Sequence, residues 1–247
     1  MIDTRQLRRL NALMAVLHGG QAAAMVALSN ARSLPVTAGF ATGAPGQPER
    51  PVQLDQLFTY RIGWAVAAFS ALSALFHAVV ASPWGSERYR DELAAGRNRF
   101  RWVEYSLSAS LMIVVIAGIT GITDVAALIA LFGVNASMIL FGWLTEITTE
   151  PGPNANWSPF RFGCVAGAVP WIAIAIYLFG ADDVPAFVFG IFVSLFVFFN
   201  CFAVNQLLQY RARGRWADYL FGERVYILLS LVAKLALAWQ VFANVLT

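Results

Sequence analysis

The 247-residue chain contains a single lysine, Lys234, in the middle of an apolar run from Val225 to Trp239 (VYILLSLVAKLALAW). The sixteen other basic residues are all arginines, in loops or at the ends of apolar segments. A cation in hydrocarbon is costly and marks function more often than not. Lysine, unlike arginine, can lose its proton and act as a nucleophilic amine. An amine of that kind forms a Schiff base with an aldehyde. A buried cation also requires an anion, because an unpaired charge in a low dielectric is driven neutral. Glu104, in the string FRWVEYSLS (Phe100–Ser108), is the acid that falls inside an apolar segment, whereas Asp124 and Glu146 fall at segment ends and are expected to be solvated. Ser230 precedes Lys234 by one helical turn and can hydrogen-bond near the amine. A structural ion pair is the competing explanation for Lys234, and an interfacial carboxylate beside Arg101 is the competing one for Glu104. The mid-segment depth of Lys234 argues against a snorkelling side chain, which works near helix ends.

The elements that must position this pair are apolar helices. The chain is 59% hydrophobic and 13% charged, and about 20 apolar residues span a bilayer as helix. Seven candidate spans cover roughly residues 10–29, 61–81, 102–121, 124–145, 160–180, 184–208 and 222–246. The expected fold is therefore all-α: one seven-helix membrane domain over residues 1–247, with no soluble module. The first span follows Arg5, Arg8 and Arg9 as a signal peptide would, but His18 and Gln21 interrupt its centre and favour a bundle-facing helix. Arginines near segment ends set orientation. With the N-terminus in the cytoplasm, the inner side receives thirteen arginines and the outer side only Arg32, Arg50 and Arg61. A cytoplasmic N-terminus and an extracellular C-terminus follow. The longest outer loop, residues 30–60, carries Pro35, Pro45, Pro48 and Pro51 with Gly39, Gly43 and Gly46. That punctuation suits turns and short extended pieces. A small hairpin near Val36–Ala41 and a plain solvated loop are both compatible with it.

Polar residues recur on single helix faces. His18 and Gln21 share a face of the first span, and Ser70, Ser73 and His77 share one of the second. If these faces meet they can line a hydrated pocket near the charge pair, or simply satisfy one another across helices. Asn135, Met138 and Gly142 form a stripe on the fourth span, Pro170 and Trp171 interrupt the fifth, and Phe192, Phe196, Phe199 and Gln206 line the sixth. An aromatic stripe of this kind can wall a slot for a flat apolar ligand, or only pack. Cys164 and Cys201 are read as small packing residues. No Cys/His cluster has metal-ligand spacing, and nothing in a net charge of +3 points to nucleic acid.

Taken together, seven spans, a lysine in the middle of the seventh and a carboxylate on the third resemble microbial retinal proteins, and more closely the heliorhodopsins. The strings that carry the likeness are FRWVEYSLS (Phe100–Ser108), ALFGVNASMILFGWL (Ala130–Leu144), FGCVAGAVPW (Phe162–Trp171) and SLVAK (Ser230–Lys234). It extends over nearly the whole chain, and the cytoplasmic N-terminus fits it as well. The resemblance implies all-trans retinal held covalently on Lys234 as a protonated Schiff base, with Glu104 as counterion and Ser230 as a nearby hydrogen-bond partner. It also implies that Met138, Ile139, Gly142, Pro170, Phe196, Phe199 and Gln206 surround the chromophore, with Ser108 and Asn135 in the same set. His18, Gln21, Ser73 and His77 would form a polar cavity on the cytoplasmic side. The long outer loop would supply a hairpin at a homodimer interface.

Those implications describe a photoreceptor in the cell membrane, not an enzyme. Its partners would be retinal, membrane lipid, a second copy of the chain and an unknown cytoplasmic signalling partner. Light-driven proton pumps carry a second carboxylate eleven residues after the counterion, where this chain has Val115, and an acid at the position of Ser230. Sensing without ion transport is therefore expected. A light-driven proton transporter or channel, and a non-photochemical membrane binding protein with a structural Lys–Glu pair, are the alternatives.

Overall fold

The computed structural model describes residues 4–44 and 52–246; Pro45, Gly46, Pro48, Arg50 and Pro51 of the long loop lie outside them. In chain order the elements are α1 (Thr4–Leu28), β1 (Ser33–Ala41), β2 (Val52–Arg61), α2 (Ile62–Ala81), α3 (Pro83–Ala94), α4 (Arg99–Ile119), α5 (Val125–Thr148), α6 (Ser158–Gly180), α7 (Ala186–Tyr210) and α8 (Tyr219–Val241). Among the described residues, all the α-helices except α3, seven in number, are long and apolar enough to cross a bilayer. They correspond in order to the seven spans expected from sequence. Arg8 Nε donates to Ala81 O at 2.8 Å, which places the start of α1 beside the end of α2.

Each helix buries one stripe and turns the rest outward. On α1 the buried residues are Leu7, Asn11, Met14, His18, Gln21, Ala22 and Met25, while Leu13, Val16, Leu17 and Val26 are exposed. The three-and-four spacing is that of a single helix face. On α8 the buried stripe runs through Glu223, Tyr226, Ile227, Ser230, Lys234, Leu237 and Val241. In contrast, α4 is buried on almost every side, from Arg101 to Gly118. It packs against α2, α5, α6 and α7. Side chains at helix starts fix where the turns begin: Asn98 accepts from Arg101 N at 3.1 Å, Asp124 from Ala127 N at 3.0 Å and Asp218 from Leu220 N at 3.0 Å.

Two features of the connections differ from the simplest sequence expectation. The segment after α2, expected as an arginine-bearing loop, folds into α3. Its Ser82 accepts from Gly85 N at 3.0 Å, Pro83 occupies the first turn, and Tyr89 and Leu93 supply a buried face. The hairpin is also longer than Val36–Ala41: β1 pairs antiparallel with β2 from Ser33↔Arg61 to Ala41↔Val52, with an irregularity at Val36/Thr37. Thr37 N donates to Thr123 O at 2.9 Å, so the hairpin is tied to the turn between α4 and α5. Tyr60 of β2 lies against Gly118, and burial pushes its phenol up to about 12.

Gly85 marks the tightest backbone approach in this region, because a Cβ there would overlap the Val79 carbonyl oxygen. Gly85→Ala is expected to cost about 1–3 kcal/mol, read as a lower thermal unfolding temperature in detergent. Gly133→Ala, at a helical position with open space around it, should leave that temperature unchanged or slightly raised.

Candidate functional site

Four helices converge on Lys234. Its Nζ donates to Glu104 Oε1 at 3.2 Å and to Ser230 Oγ at 2.7 Å. Ser73 Oγ donates to the same Glu104 oxygen at 2.6 Å. Gln21 Nε2 donates to the backbone carbonyl of Lys234 at 3.0 Å, which ties α1 to α8 at this level. The Lys234 and Glu104 side chains are 4% and 5% exposed, so the pair sits in a low dielectric where its attraction is strong. Tyr105 lies under the ammonium, with its ring centroid 5.2 Å from Nζ, and its hydroxyl donates to Tyr226 O at 2.9 Å.

From Lys234 a cavity of about 300 Å³ extends between α4, α5, α6 and α7. Of the residues singled out in the sequence, Lys234, Ser230, Met138, Ile139, Gly142, Phe196, Phe199 and Gln206 line it. Gly142 is a glycine for space, since a Cβ there would stand 2.6 Å from the Trp102 ring. Its carbonyl accepts from Gln206 Nε2 at 2.9 Å. Trp171 closes one wall, packed edge-on against Phe196 and Phe199 with centroids 5.4 Å apart. Three residues of the expected set do not line the wall. Pro170 is buried within α6, Asn135 donates to Ser110 Oγ at 3.0 Å, and Ser108 is fully buried. The remaining walls come from residues that the sequence did not single out, among them Trp102, Tyr105, Met112, Phe202 and Tyr226. Cys164, expected to be a packing residue, is exposed and borders the cavity.

The polar residues of α1 and α2 do meet. The His18 and His77 rings stack at 5.6 Å with 7° between their planes. His77 Nδ1 is 2.7 Å from Asn11 Oδ1, while neither ring nitrogen of the fully buried His18 has a protein partner. A second, water-sized cavity of about 30 Å³ lies beside them. It is bordered by His77 and Glu104, but not by His18, Gln21 or Ser73.

Residues 7–246 match the family model for heliorhodopsin. The chain belongs to the heliorhodopsin family. No curated protein matches the sequence. Among solved structures, the chain is similar in fold to the crystal structure of a light-driven proton pump, LR (Mac), from Leptosphaeria maculans. The TM-score is 0.65 at 13% identity, over 99% of this chain and 95% of the other. The apolar helices and the heliorhodopsin match together make the chain a multi-pass membrane protein.

The heliorhodopsin bundle holds a second charged cluster, which corrects one sequence expectation. Glu146 is not solvated: it is 6% exposed. Arg101 stands in the first turn of α4, at a segment end as expected, but it is 5% exposed and pairs with Glu146 at 2.6 Å and with Glu223. Its guanidinium also lies over the Trp102 and Tyr226 rings, at 4.6 and 4.1 Å. Glu223 opens the seventh span, where an acid is normally solvated, so its local sequence does not mark it. Its seven-residue distance from Ser230 on one helix face was the available signal. Removing one member of a buried pair leaves an uncompensated charge, at a cost of about 3–5 kcal/mol. Arg101→Ala should therefore unfold at markedly lower denaturant than the parent. The triple change Arg101→Met with Glu146→Gln and Glu223→Gln should recover much of that loss in the same titration.

Proposed function

We propose that the chain is a light sensor that holds all-trans retinal on Lys234. One observation carries this: a buried amine, Nζ of Lys234, stands at the end of an apolar cavity of about 300 Å³ and beside a carboxylate at 3.2 Å. Membership of the heliorhodopsin family supports it. The residues fit the group. Aromatic rings from α4, α6 and α7 wall a slot for a flat polyene, Gly142, Gly163 and Gly167 leave room along it, and Gln206 adds a polar group. Joined to Lys234 as a Schiff base, retinal would supply absorption of visible light and the isomerisation that follows.

The chain's own residues do the rest. Glu104 balances a positive charge at the Lys234 nitrogen and can take its proton. Ser73 and Ser230 hold the two partners in line by donating to the carboxylate and accepting from the amine. Packing of Trp171 on Phe196 and Phe199 excludes water from the slot.

Sensing without transport is the reading we favour. Beyond Lys234 the inward face of α8 continues as Leu237, Ala238 and Val241, and beyond Glu104 that of α4 passes Ser108 and Ser110 and continues through Met112, Val115 and Ile116. The apolar residues belong to one core cluster, and neither they nor the two serines offer a carboxylate or histidine station for a one-way proton path. The arginine count supports a cytoplasmic N-terminus, an orientation in which the charged half of the bundle would face inward. An output through a cytoplasmic partner, with no enzymatic step of its own, completes the proposal.

Adding retinal to the purified protein should give a visible band that hydroxylamine bleaches and that Lys234→Ala abolishes entirely. A colourless product, or colour that survives Lys234→Ala, would refute the assignment. Glu104→Gln should move the band to longer wavelength, because a nearby anion favours the ground-state positive charge at the nitrogen. An unchanged spectrum would mean another group is the counterion. Illuminated liposomes should show no uncoupler-sensitive pH change; a sustained change would favour transport.

A further inference from the structure

We infer that Glu223 is a second proton site, which takes up the proton that Glu104 receives from the Lys234 nitrogen; the inference rests on the retinal assignment for its light trigger only. Arg101 faces two carboxylates, Glu146 from α5 and Glu223 from α8, so the buried cluster carries one more negative charge than positive. That excess is what a mobile proton neutralises.

Donor counting then separates the two acids. Glu146 receives four hydrogen bonds: Asn98 N and Trp102 Nε1 on one oxygen, Arg101 Nη2 and Tyr219 OH on the other. A carboxylate offers about four acceptor positions, so Glu146 is saturated as an anion. Glu223 receives three, from Tyr89 OH at 3.0 Å, Asn98 Nδ2 at 2.6 Å and Arg101 Nη1. One of its acceptor positions is free to carry hydrogen.

Geometry joins Glu223 to the Lys234 site. The cavity of about 30 Å³ is bordered by both Glu104 and Glu223, and also by His77, Asn98, Tyr89 and Arg101. It does not border Glu146. A space of that size holds a water if two to four polar groups meet it, and Arg101, whose Nε is buried and without a protein partner, is among the residues that border it. The transfer balances. The Lys234 nitrogen gives its proton to Glu104, the cavity water accepts it from Glu104, and that water passes one of its own to Glu223. The N–H bond breaks, an O–H bond forms on Glu223, and Glu104 and the water end unchanged. The cluster of Arg101, Glu146 and Glu223 moves from one net negative charge to neutral.

The test is infrared difference spectroscopy of the full chain in lipid vesicles. In the retinal-loaded protein, light should produce a protonated-carboxyl C=O band as the visible band of the deprotonated nitrogen appears. Glu223→Gln should abolish the infrared band, Glu223→Asp should shift it, and Glu146→Gln should retain it. In the retinal-free protein, acidification should produce the same band, again lost in Glu223→Gln. A band that survives Glu223→Gln, or that Glu146→Gln removes instead, overturns the inference. So does the absence of any carboxyl band in the parent protein. Failure to form a pigment refutes the chromophore assignment alone, because the retinal-free arm still decides the role of Glu223.

Discussion

An ammonium group can be held inside an apolar bundle only where a carboxylate meets it, and the contact of Lys234 with Glu104 constrains most of the molecule. It fixes the relative height of α4 and α8 to within a hydrogen bond. The Asn98 and Asp218 caps set where those two helices begin, and so set which turns face each other. Ser73 brings α2 to the same carboxylate, and Gln21 brings α1 to the Lys234 carbonyl. Without Glu104, the Ser73 hydroxyl and the Lys234 ammonium would both lose the carboxylate they meet.

Around that contact the bundle divides into unlike parts. Toward the helix start of α4 lie Arg101, Glu146, Glu223 and the stacked histidines, with a small cavity bordered by Arg101, Glu223 and His77. Away from it the inward faces are mostly apolar and carry no charged group, with Ser108, Ser110 and Asn135 as buried polar exceptions. To one side, rings and glycines enclose the larger cavity. Charge can be rearranged cheaply only where compensating donors are already in place, and in this protein those donors are gathered in one half. The asymmetry puts the charged groups on one side of the Lys234–Glu104 contact and the mostly apolar core on the other.

Particular residues show where sequence reasoning succeeded and where it stopped. Lys234, Glu104 and Ser230 stood out because a charged residue in hydrocarbon has few innocent explanations, and the stripe on α1 followed from simple periodicity. The burial of Glu146 and of its partner Arg101 was not legible, because position near a span end says nothing about burial. A partly exposed end and a sealed one have the same local composition, and only the approach of Glu223 and Tyr219 closes this one. The walls supplied by Trp102, Tyr105 and Met112 escaped notice because α4 is buried on nearly every side. A helix without an exposed face has no periodic signal to mark which side lines a cavity.

By itself the sequence determined the number of apolar helices, the family and the identity of the one buried amine, since each depends on composition, spacing or long shared strings. Only the tertiary structure decided which acids are buried together, which rings enclose the cavity and that the carboxylate of Glu223 borders the same small space as Glu104. Those facts depend on how helices far apart in the chain lean on one another, and the energy of a buried charge is set by neighbours that no local stretch of sequence contains.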